Sequence, residues 1–531
     1  MRGRLGSLLL LASALSLFSF FYLPAIRVES AGLYHDDGVY LVTARALAEG
    51  NGYSITSLPE AVPQIKYPPM FPALLSVGWR LSPDFPANLP LLRLVPLLAA
   101  LLWMTAVYRW VRGAERGPVT AGAVVVLALA SPWVLFVSTS ILSETLFAVL
   151  VWGTFLAVRR IEAGGRGAGP LAAAIALTAA AIYTRSLGLV LPLAVLIQLF
   201  RVWRPGALRY GLAVAALAIP WFVWSATQHA AVPDWAGYYF SSTYGNWNVL
   251  TNFSLAEKFR ILGYNAFYFL SSPGALVGYA GRPSLVLALV AAGLIGLGFW
   301  RSVRSGVRIE HLFAALYLGV LWLWPWPPAR FLVVLYPLIL LWGWDGIRAA
   351  LGLPANTLLW RKLVAVGAAA AITAASVGTL INIRALLADR DNLFPAARCI
   401  ENWSDSEALH AWLRQNTPAD AILLGNLDPA LHLYTGRRAA RAFSANPVTL
   451  YYNFDPGREP LGPSSELVSI MESSRATYLI LRPASCFQQM EFLDRQVQDL
   501  EDSRPGLLKP VFSGPGDTRV FQIDQPVAAI P

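Results

Sequence analysis

The chain has 531 residues, of which 56% are hydrophobic and only 14% are charged. A typical soluble domain is about 45–50% apolar and about 25% charged, so this sequence carries too little charge to cover a water-soluble protein of its size. The composition excludes a soluble multidomain enzyme and a disordered protein, and two cysteines exclude a disulfide or Cys-rich zinc scaffold. It predicts an integral membrane protein that crosses the bilayer many times.

The formal net charge of +10 is also a property of nucleic-acid-binding proteins. In a membrane protein, arginines in cytoplasmic loops are the commoner source of such a surplus, because they set the orientation of the spans. We therefore expect that the positive charge reflects insertion in the membrane. We expect no nucleic-acid partner.

Transmembrane helices are predicted wherever about 20 apolar residues follow one another, and about eleven such segments occur. In chain order they are 7–26, 88–110, 119–138, 141–158, 169–185, 186–200, 208–226, 283–300, 311–325, 329–345 and 363–383. The first segment follows two arginines and lacks a clear small-x-small cleavage site, so we expect an uncleaved anchor.

The placement of arginine predicts the orientation of these spans. If the N-terminus is cytoplasmic, every second loop is short and basic, as the positive-inside rule requires. The basic loops are 109–116, 159–166, 201–209, 301–308 and 348–362. An odd number of spans then places the C-terminal residues outside the cytoplasm.

The sequence predicts a polytopic α-helical membrane protein with a C-terminal soluble α/β domain. The transmembrane domain is 1–388, with long external loops at 27–87 and 227–282, and the extracytoplasmic domain is 389–531. The predicted elements of the second domain are helices 406–415 and 487–502, strands 421–424 and 476–481, and a hairpin at 509–524.

Two adjacent carboxylates, Asp36 and Asp37, follow the first span closely and precede a helical pattern at 41–49. One interpretation is capping, since aspartate is favoured at helix N-termini. The other is a general base or a metal ligand, because adjacent carboxylates repel and one pKa rises toward neutrality.

Lys66 lies near the end of the same loop, in the sequence Gln64-Ile65-Lys66-Tyr67-Pro68-Pro69, and is the first lysine of the chain. The prolines predict a rigid, extended turn at the membrane surface. An ammonium group there suits a lipid phosphate, although a lysine at this depth also snorkels toward water.

Three further ionisable residues, Glu144, Arg185 and Arg330, lie at predicted outer boundaries of spans, where such groups are costly. Glu144 also fits a helix N-terminus. Two arginines on the outer side, against a background of cytoplasmic ones, indicate an anionic ligand at the outer leaflet. A structural ion pair with Glu144 or Asp36 is the competing interpretation.

The ordered set of these motifs resembles the GT-C membrane glycosyltransferases, in the bacterial branch related to protein O-mannosyltransferases and the aminoarabinose transferase. The resemblance covers essentially the whole chain. It rests on His35-Asp36-Asp37-Gly38-Val39-Tyr40, Lys66-Tyr67-Pro68-Pro69, Ser143-Glu144, Thr184-Arg185-Ser186, Arg330-Phe331 and Leu433-Tyr434-Thr435-Gly436-Arg437.

The resemblance implies a GT-C fold in a bacterial inner membrane and transfer of a sugar from a polyprenyl-phosphate donor to an acceptor outside the cytoplasm. It implies that Asp36 and Asp37 are catalytic and that Lys66, Arg185 and Arg330 bind the donor phosphate. Supporting residues would be His35, Tyr40, Tyr67 and Glu144. Some branches of the family use a divalent cation, and the sequence leaves open whether this chain does.

The mechanistic hypothesis is a single displacement in which an aspartate deprotonates the acceptor hydroxyl and the anomeric configuration inverts. The acceptor, whether lipid, glycan or protein, stays open, as does a disulfide between Cys399 and Cys486. One alternative is a lipid-linked-sugar flippase without transferase activity. It would be expected to have polar residues through the midplane of the membrane and inverted repeats. Another is an anchored binding protein whose external domain is the active part.

Overall fold

The computed structural model describes residues 2–114, 116–233, 236, 251, 253–276, 285–324, 328–352, 377–378, 380–381, 403–443, 462–482 and 489–524. The chain divides into two compact units. The first consists of Met1–Arg27, Arg93–Val223 and Leu255–Ala385, and the second of Val28–Leu92, Trp224–Ser254 and Leu386–Pro531.

The first unit is built from apolar helices. The helices that lie wholly or mostly in it are Arg2–Leu17 with its continuations Phe18–Tyr22 and Leu23–Ala25, Leu89–Gly113, Pro118–Leu129, Pro132–Thr139, Glu144–Glu162, Ala168–Ile182, Val190–Val202, Arg204–Gln228, Leu255–Leu276, Leu285–Arg304, Ile309–Trp322, Ala329–Leu332 and Tyr336–Ala350. Short 3-10 turns, Ser186–Leu189 and Val333–Leu335, join two pairs of them.

Four helical segments among the described residues are long and apolar enough to cross a membrane: Leu5–Ala25, Leu89–Gly113, Arg204–Ala231 and Ala329–Ala350. Large side chains on three of them are more than half exposed, such as Leu8 (63%), Leu102 (61%) and Leu212 (65%). Such surfaces are unfavourable in water and suit contact with lipid. The chain is a membrane protein, whereas the predicted total of about eleven spans is not confirmed.

The predicted spans 119–138 and 363–383 differ in how much of them the structure describes. The segment predicted as one span at 119–138 is a pair of helices, Pro118–Leu129 and Pro132–Thr139, bent by 70° at the break. Pro132 causes the break, because a residue before proline is disfavoured in the helical region, and Ser131 is extended there. The predicted span 363–383 lies almost entirely outside the described residues.

Close helix packing in the first unit depends on small residues. Helices Leu285–Arg304 and Tyr336–Ala350 approach so tightly that a Cβ atom placed on Gly298 would lie 1.8 Å from the carbonyl oxygen of Trp342. Gly346 has the same relation to the carbonyl oxygen of Leu294. Glycine at such crossings lets two backbones come together, which compensates for the weak hydrophobic drive between helices in lipid.

The second unit contains the residues of the first predicted external loop and those of the C-terminal domain. The former supply helices Asp36–Glu49 and Met70–Leu81 and a short antiparallel pair, β1 (Ser54–Ile55) and β2 (Val62–Pro63). The C-terminal residues supply helices Trp403–Asn416, Asp428–Thr435, Ser464–Ser474 and Gln489–Ser503 and strands β3 (Ile422–Gly425), β4 (Arg438–Arg441), β5 (Tyr478–Leu481), β6 (Leu508–Ser513) and β7 (Arg519–Ile523).

The five C-terminal strands form one mixed sheet in the order β4-β3-β5-β7-β6. Strands β4, β3 and β5 are parallel, and β7 and β6 join antiparallel. Alternate residues serve opposite faces, so Leu423 and Ile480 enter one apolar cluster and Leu424 and Leu479 the other. Helices therefore cover both faces, as parallel strands require.

The predicted elements of the C-terminal domain are confirmed, since 406–415, 421–424, 476–481, 487–502 and 509–524 all overlap observed elements of the same type. The sequence did not predict helices Asp428–Thr435 and Ser464–Ser474 or strand β4. Strand β4 has an arginine at each end, and its pairing with β3, rather than its own pattern, makes it a strand.

The first-loop residues and the C-terminal domain are joined by hydrogen bonds. The Tyr434 hydroxyl accepts from the N–H of Ala31 (2.9 Å) and donates to the carbonyl of Glu29 (2.7 Å). The N–H of Ala439 donates to the carbonyl of Ser57 (2.8 Å). Residues that are far apart in the sequence are therefore neighbours within the second unit.

Candidate active site

Asp37 holds the turn that precedes helix Asp36–Glu49. Its two carboxylate oxygens accept hydrogen bonds from the backbone N–H groups of Gly32 (2.7 Å) and Tyr34 (2.9 Å), and the side chain is buried. Burial raises the pKa of Asp37 to about 6, although these hydrogen bonds act in the opposite direction. Both oxygens are therefore engaged by the backbone of the loop itself.

Asp36, one residue earlier, has a different environment. Its Oδ1 accepts a hydrogen bond from the Tyr67 hydroxyl. The Tyr67 ring lies 4.8 Å from the ring of Tyr40, and the Lys66 ammonium lies 5.0 Å from the centre of the Tyr67 ring. The predicted site residues Asp36, Tyr40, Lys66 and Tyr67 therefore come together around one phenol ring.

Lys66 is held in place by its backbone. The buried Gln64 side-chain oxygen accepts from the N–H groups of Lys66 (2.9 Å) and Tyr67 (3.2 Å), and the Tyr53 hydroxyl donates to the Tyr67 carbonyl (2.6 Å). Burial lowers the pKa of Lys66 to about 8, while the nearby Asp36 carboxylate raises it and the Arg441 guanidinium lowers it further. The lysine is thus mainly cationic at neutral pH.

His35, the residue before this helix, is buried and has a φ of 63°, a backbone conformation that costs a non-glycine residue about 1 kcal/mol or more. Its Nε2 lies 4.0 Å from Oδ1 of Asp428, and Nε of Arg441 lies 3.9 Å from the same oxygen. Burial, followed by the charges of Arg441 and Lys66, holds the pKa of His35 well below its usual range, so the ring is neutral.

Asp428 and Arg441 are neighbours of His35 that the sequence did not reveal. Asp428 is fully buried, and burial raises its pKa to about 7 in spite of the Arg441 charge. A signal was present, because Asp428 follows the apolar run 421–425 closely, and the carboxyl ends of parallel strands are where α/β sheets place functional groups. Nothing in the local pattern linked Arg441 to the first loop.

Glu144, Arg185 and Arg330 form a second cluster, within the first unit. Arg185 Nη1 lies 2.8 Å from Oε1 of Glu144 and donates to the Ser143 hydroxyl (3.0 Å), and Arg330 Nε donates to the same Glu144 oxygen. Glu144 is 6% exposed. The ion pair with Glu144 considered from the sequence is present, with two cations for one carboxylate.

A divalent cation would need a set of ligand side chains close together. Within the described part of the chain no group of three or more His, Cys, Asp or Glu side chains comes together as a ligand set. Ca²⁺ takes six to eight oxygen ligands. Mg²⁺ needs near-ideal octahedral geometry and is usually held by one or two carboxylates together with water and substrate phosphates. The described residues therefore contain no cluster of the kind that an all-protein cage for Ca²⁺ requires.

The mostly helical chain with a C-terminal mixed sheet has the fold of the GT-C glycosyltransferases. ArnT from Cupriavidus metallidurans bound to undecaprenyl phosphate is similar over 97% of both chains, with a TM-score of 0.57 and 15% identity. The oligosaccharyltransferase AglB from Archaeoglobus fulgidus, in complex with an inhibitory peptide and a dolichol-phosphate, is similar over 98% of this chain and 74% of its own, with a TM-score of 0.54 and 13% identity.

At these identities the shared property is the fold. No family model matches the chain, and no curated protein matches it. A shared fold does not fix the reaction, which depends on the side chains of this protein.

Proposed function

We propose that the chain is a membrane glycosyltransferase that moves a sugar from a polyprenyl-phosphate donor to a hydroxyl group of an extracytoplasmic acceptor. The observation that carries the proposal is the meeting of a carboxylate, Asp36, and an ammonium group, Lys66, around Tyr67. A base for the incoming hydroxyl and a cation for the departing phosphate are the two groups that such a transfer needs.

Asp36 is the proposed general base, and Asp37 is the proposed support of its turn. The Asp36 carboxylate takes the proton of the acceptor hydroxyl as the hydroxyl oxygen attacks the anomeric carbon. The bond between that carbon and the phosphate oxygen breaks, and the electron pair leaves with the polyprenyl phosphate. One displacement inverts the anomeric configuration, so a product that retains it would contradict this mechanism.

Lys66 is the proposed partner of the phosphate, whose negative charge grows as the bond breaks. Arg185 and Arg330 are proposed as further cations for the lipid phosphate. Both guanidinium groups contact the Glu144 carboxylate, and a guanidinium is the side-chain group whose geometry best matches a phosphate. We also propose that the protein lies in a bacterial inner membrane. Its site and its C-terminal domain then face the outside of the cytoplasm.

A flippase is the rival function, since it too would bind a lipid-linked sugar. Among the described residues, the apolar helix Pro118–Leu129 carries no charged side chain. In contrast, Asp36 accepts a hydrogen bond from Tyr67, and the Lys66 ammonium lies beside the same ring. This arrangement suits proton transfer next to a phosphate. A flippase would share the cations that bind the phosphate, but it transfers no proton and therefore needs no general base.

The test is an assay of the purified chain with a panel of polyprenyl-phosphate sugars and candidate acceptors. We expect release of polyprenyl phosphate with at least one donor, and loss of that release in Asp36→Asn. A protein that moves the lipid-linked sugar between leaflets of a vesicle, and releases no polyprenyl phosphate from any donor, is a flippase.

A further inference from the structure

The C-terminal domain adds a second carboxylate and a second cation to the surroundings of His35. Asp428 begins helix Asp428–Thr435, and Arg441 ends strand β4. Arg441 Nε and His35 Nε2 lie 3.9 and 4.0 Å from the same oxygen of Asp428. The Arg441 side chain is 12% exposed and Asp428 is fully buried, so these charges are largely removed from water.

The approach of this pair to the first loop is enforced by backbone packing. A Cβ atom placed on Gly38 would lie 2.7 Å from Cβ of Pro429, the residue after Asp428. Glycine at position 38 therefore lets helix Asp36–Glu49 and helix Asp428–Thr435 touch. The two helices carry their first-turn carboxylates, Asp36 and Asp428, into the same region.

Two cations, Lys66 and Arg441, are held within electrostatic reach of each other in this region. Burial is the largest cause of the lowered pKa of Lys66 and of His35, and the Arg441 charge lowers both further, while Asp36 raises the pKa of Lys66. Arginine cannot lose its proton in a protein. Asp428, whose pKa burial raises to about 7, is a carboxylate that faces this guanidinium. An anion that binds between the two cations would favour their charged forms.

We infer that Arg441 is a second cation for the phosphate of the glycosyl donor, supplied by the C-terminal domain, and that Asp428 positions its guanidinium group. The inference rests on the proposed function. The planar fork of arginine matches a phosphate group with two parallel hydrogen bonds, whereas lysine offers a single point charge. The C-terminal domain would then contribute directly to donor binding.

Arg438 provides a matched control on the same strand. Its guanidinium donates to the carbonyl of Pro59, so it also connects β4 with the first loop. Arg438→Ala removes an arginine and a contact between the same two segments, and it leaves Arg441 and Asp428 unchanged. A purely structural role of Arg441 predicts similar losses of phosphate binding in Arg441→Gln and Arg438→Ala.

The experiment measures binding of undecaprenyl phosphate to the full-length chain in detergent, with uncharged undecaprenol as the reference ligand. We expect Arg441→Gln to weaken binding of the phosphate on the order of tenfold. Arg441→Lys should weaken it less, and Arg438→Ala should leave it unchanged. Binding of undecaprenol should be the same in all variants. Each variant's unfolding temperature is measured in parallel.

Equal affinity of Arg441→Gln and Arg441→Lys for undecaprenyl phosphate would overturn the inference, as would equal losses in the Arg441 and Arg438 variants. The role of Asp428 is tested by a double-mutant cycle, in which Arg441→Gln should cost less affinity in an Asp428→Asn background. Strictly additive effects would contradict the positioning role. A wild-type chain that binds no undecaprenyl phosphate contradicts the proposed function itself.

Discussion

Asp36 and Asp37, at the start of one helix, make different contacts. Asp37 uses both oxygens to hold the backbone of its own loop, whereas Asp36 accepts from Tyr67 and lies near Lys66. The sequence predicted a functional acidic pair and left the choice between its members open. The choice depends on where the loop places each carboxylate, which adjacent positions in a sequence do not reveal.

Asp36→Asn and Asp37→Asn should therefore fail in different ways. Loss of a general base typically lowers kcat by about 10²- to 10⁴-fold, and we expect this in Asp36→Asn with donor affinity retained. Asp37→Asn replaces one acceptor oxygen by an NH₂ group facing a backbone N–H, which should cost about 1–3 kcal/mol of stability. Turnover and unfolding temperature are measured for both. An Asp37 variant of normal stability without turnover, beside an active Asp36 variant, would reverse the assignment.

Lys66 should give donor binding a characteristic pH dependence. Its pKa is lowered to about 8, so the ammonium charge is present below pH 8 and is lost as the pH rises through that value. The donor phosphodiester keeps its charge over this range. We expect the KM for the donor to rise on the order of tenfold between pH 7 and pH 9.

Lys66→Arg is the control for this pH dependence, because a guanidinium group stays charged throughout. In this variant the KM for the donor should change little between pH 7 and pH 9, whatever its absolute value. The same rise in wild type and Lys66→Arg would mean that another group causes it.

The helices of the first unit and the strands of the second unit pack in different ways. Helices of the first unit pack through small residues such as Gly298, while strands β3 and β5 of the second unit bury both faces in apolar clusters. The periodicity of the sequence predicted strands β3 and β5, since a buried strand is a short apolar run. It could not predict β4, because the strand character of β4 comes from its partner.

Gly298→Ala tests the tight helix crossing in the first unit. The added Cβ would lie 1.8 Å from the Trp342 carbonyl oxygen, so the two helices must move apart and the protein should unfold at a lower temperature. Gly296→Ala is the matched control on the same helix, since a Cβ there meets nothing within 4 Å. Alanine favours a helix by up to about 1 kcal/mol over glycine, so this control should be neutral or stabilising. Equal unfolding temperatures of the two variants would contradict the crossing.

At the scale of the whole molecule, the prediction that remains to be tested is its orientation in the membrane. The positive-inside rule places the basic loop 159–166 in the cytoplasm and residues 27–87 outside. Both regions have exposed positions, Arg166 and Glu60. The net charge of +10 would then reflect topology, with only a few cations committed to a ligand.

Cysteine labelling tests this orientation. In a chain whose Cys399 and Cys486 are replaced by serine, Glu60→Cys should react with a membrane-impermeant maleimide added to intact cells. Arg166→Cys should react only after the inner membrane is permeabilised. Labelling of both positions in intact cells, or of Arg166→Cys alone, would invert or abolish the proposed topology. A variant without introduced cysteines measures the background.

The sequence by itself determined the class of this protein, since too little charge and repeated apolar segments leave a membrane protein as the solution. It also determined the helices and strands whose pattern is local, and it supplied most of the polar residues that are proposed for the site. These properties follow from composition and periodicity, which need no knowledge of distant contacts.

Only the tertiary structure decided which polar residues meet. It separated Asp36 from Asp37, gave Arg185 and Arg330 one shared carboxylate, and brought Asp428 and Arg441 to His35 across nearly four hundred residues of sequence. The physical reason is that burial and ion pairing depend on distances in space. The local sequence around a polar side chain is the same whether or not a partner from another part of the chain lies close to it.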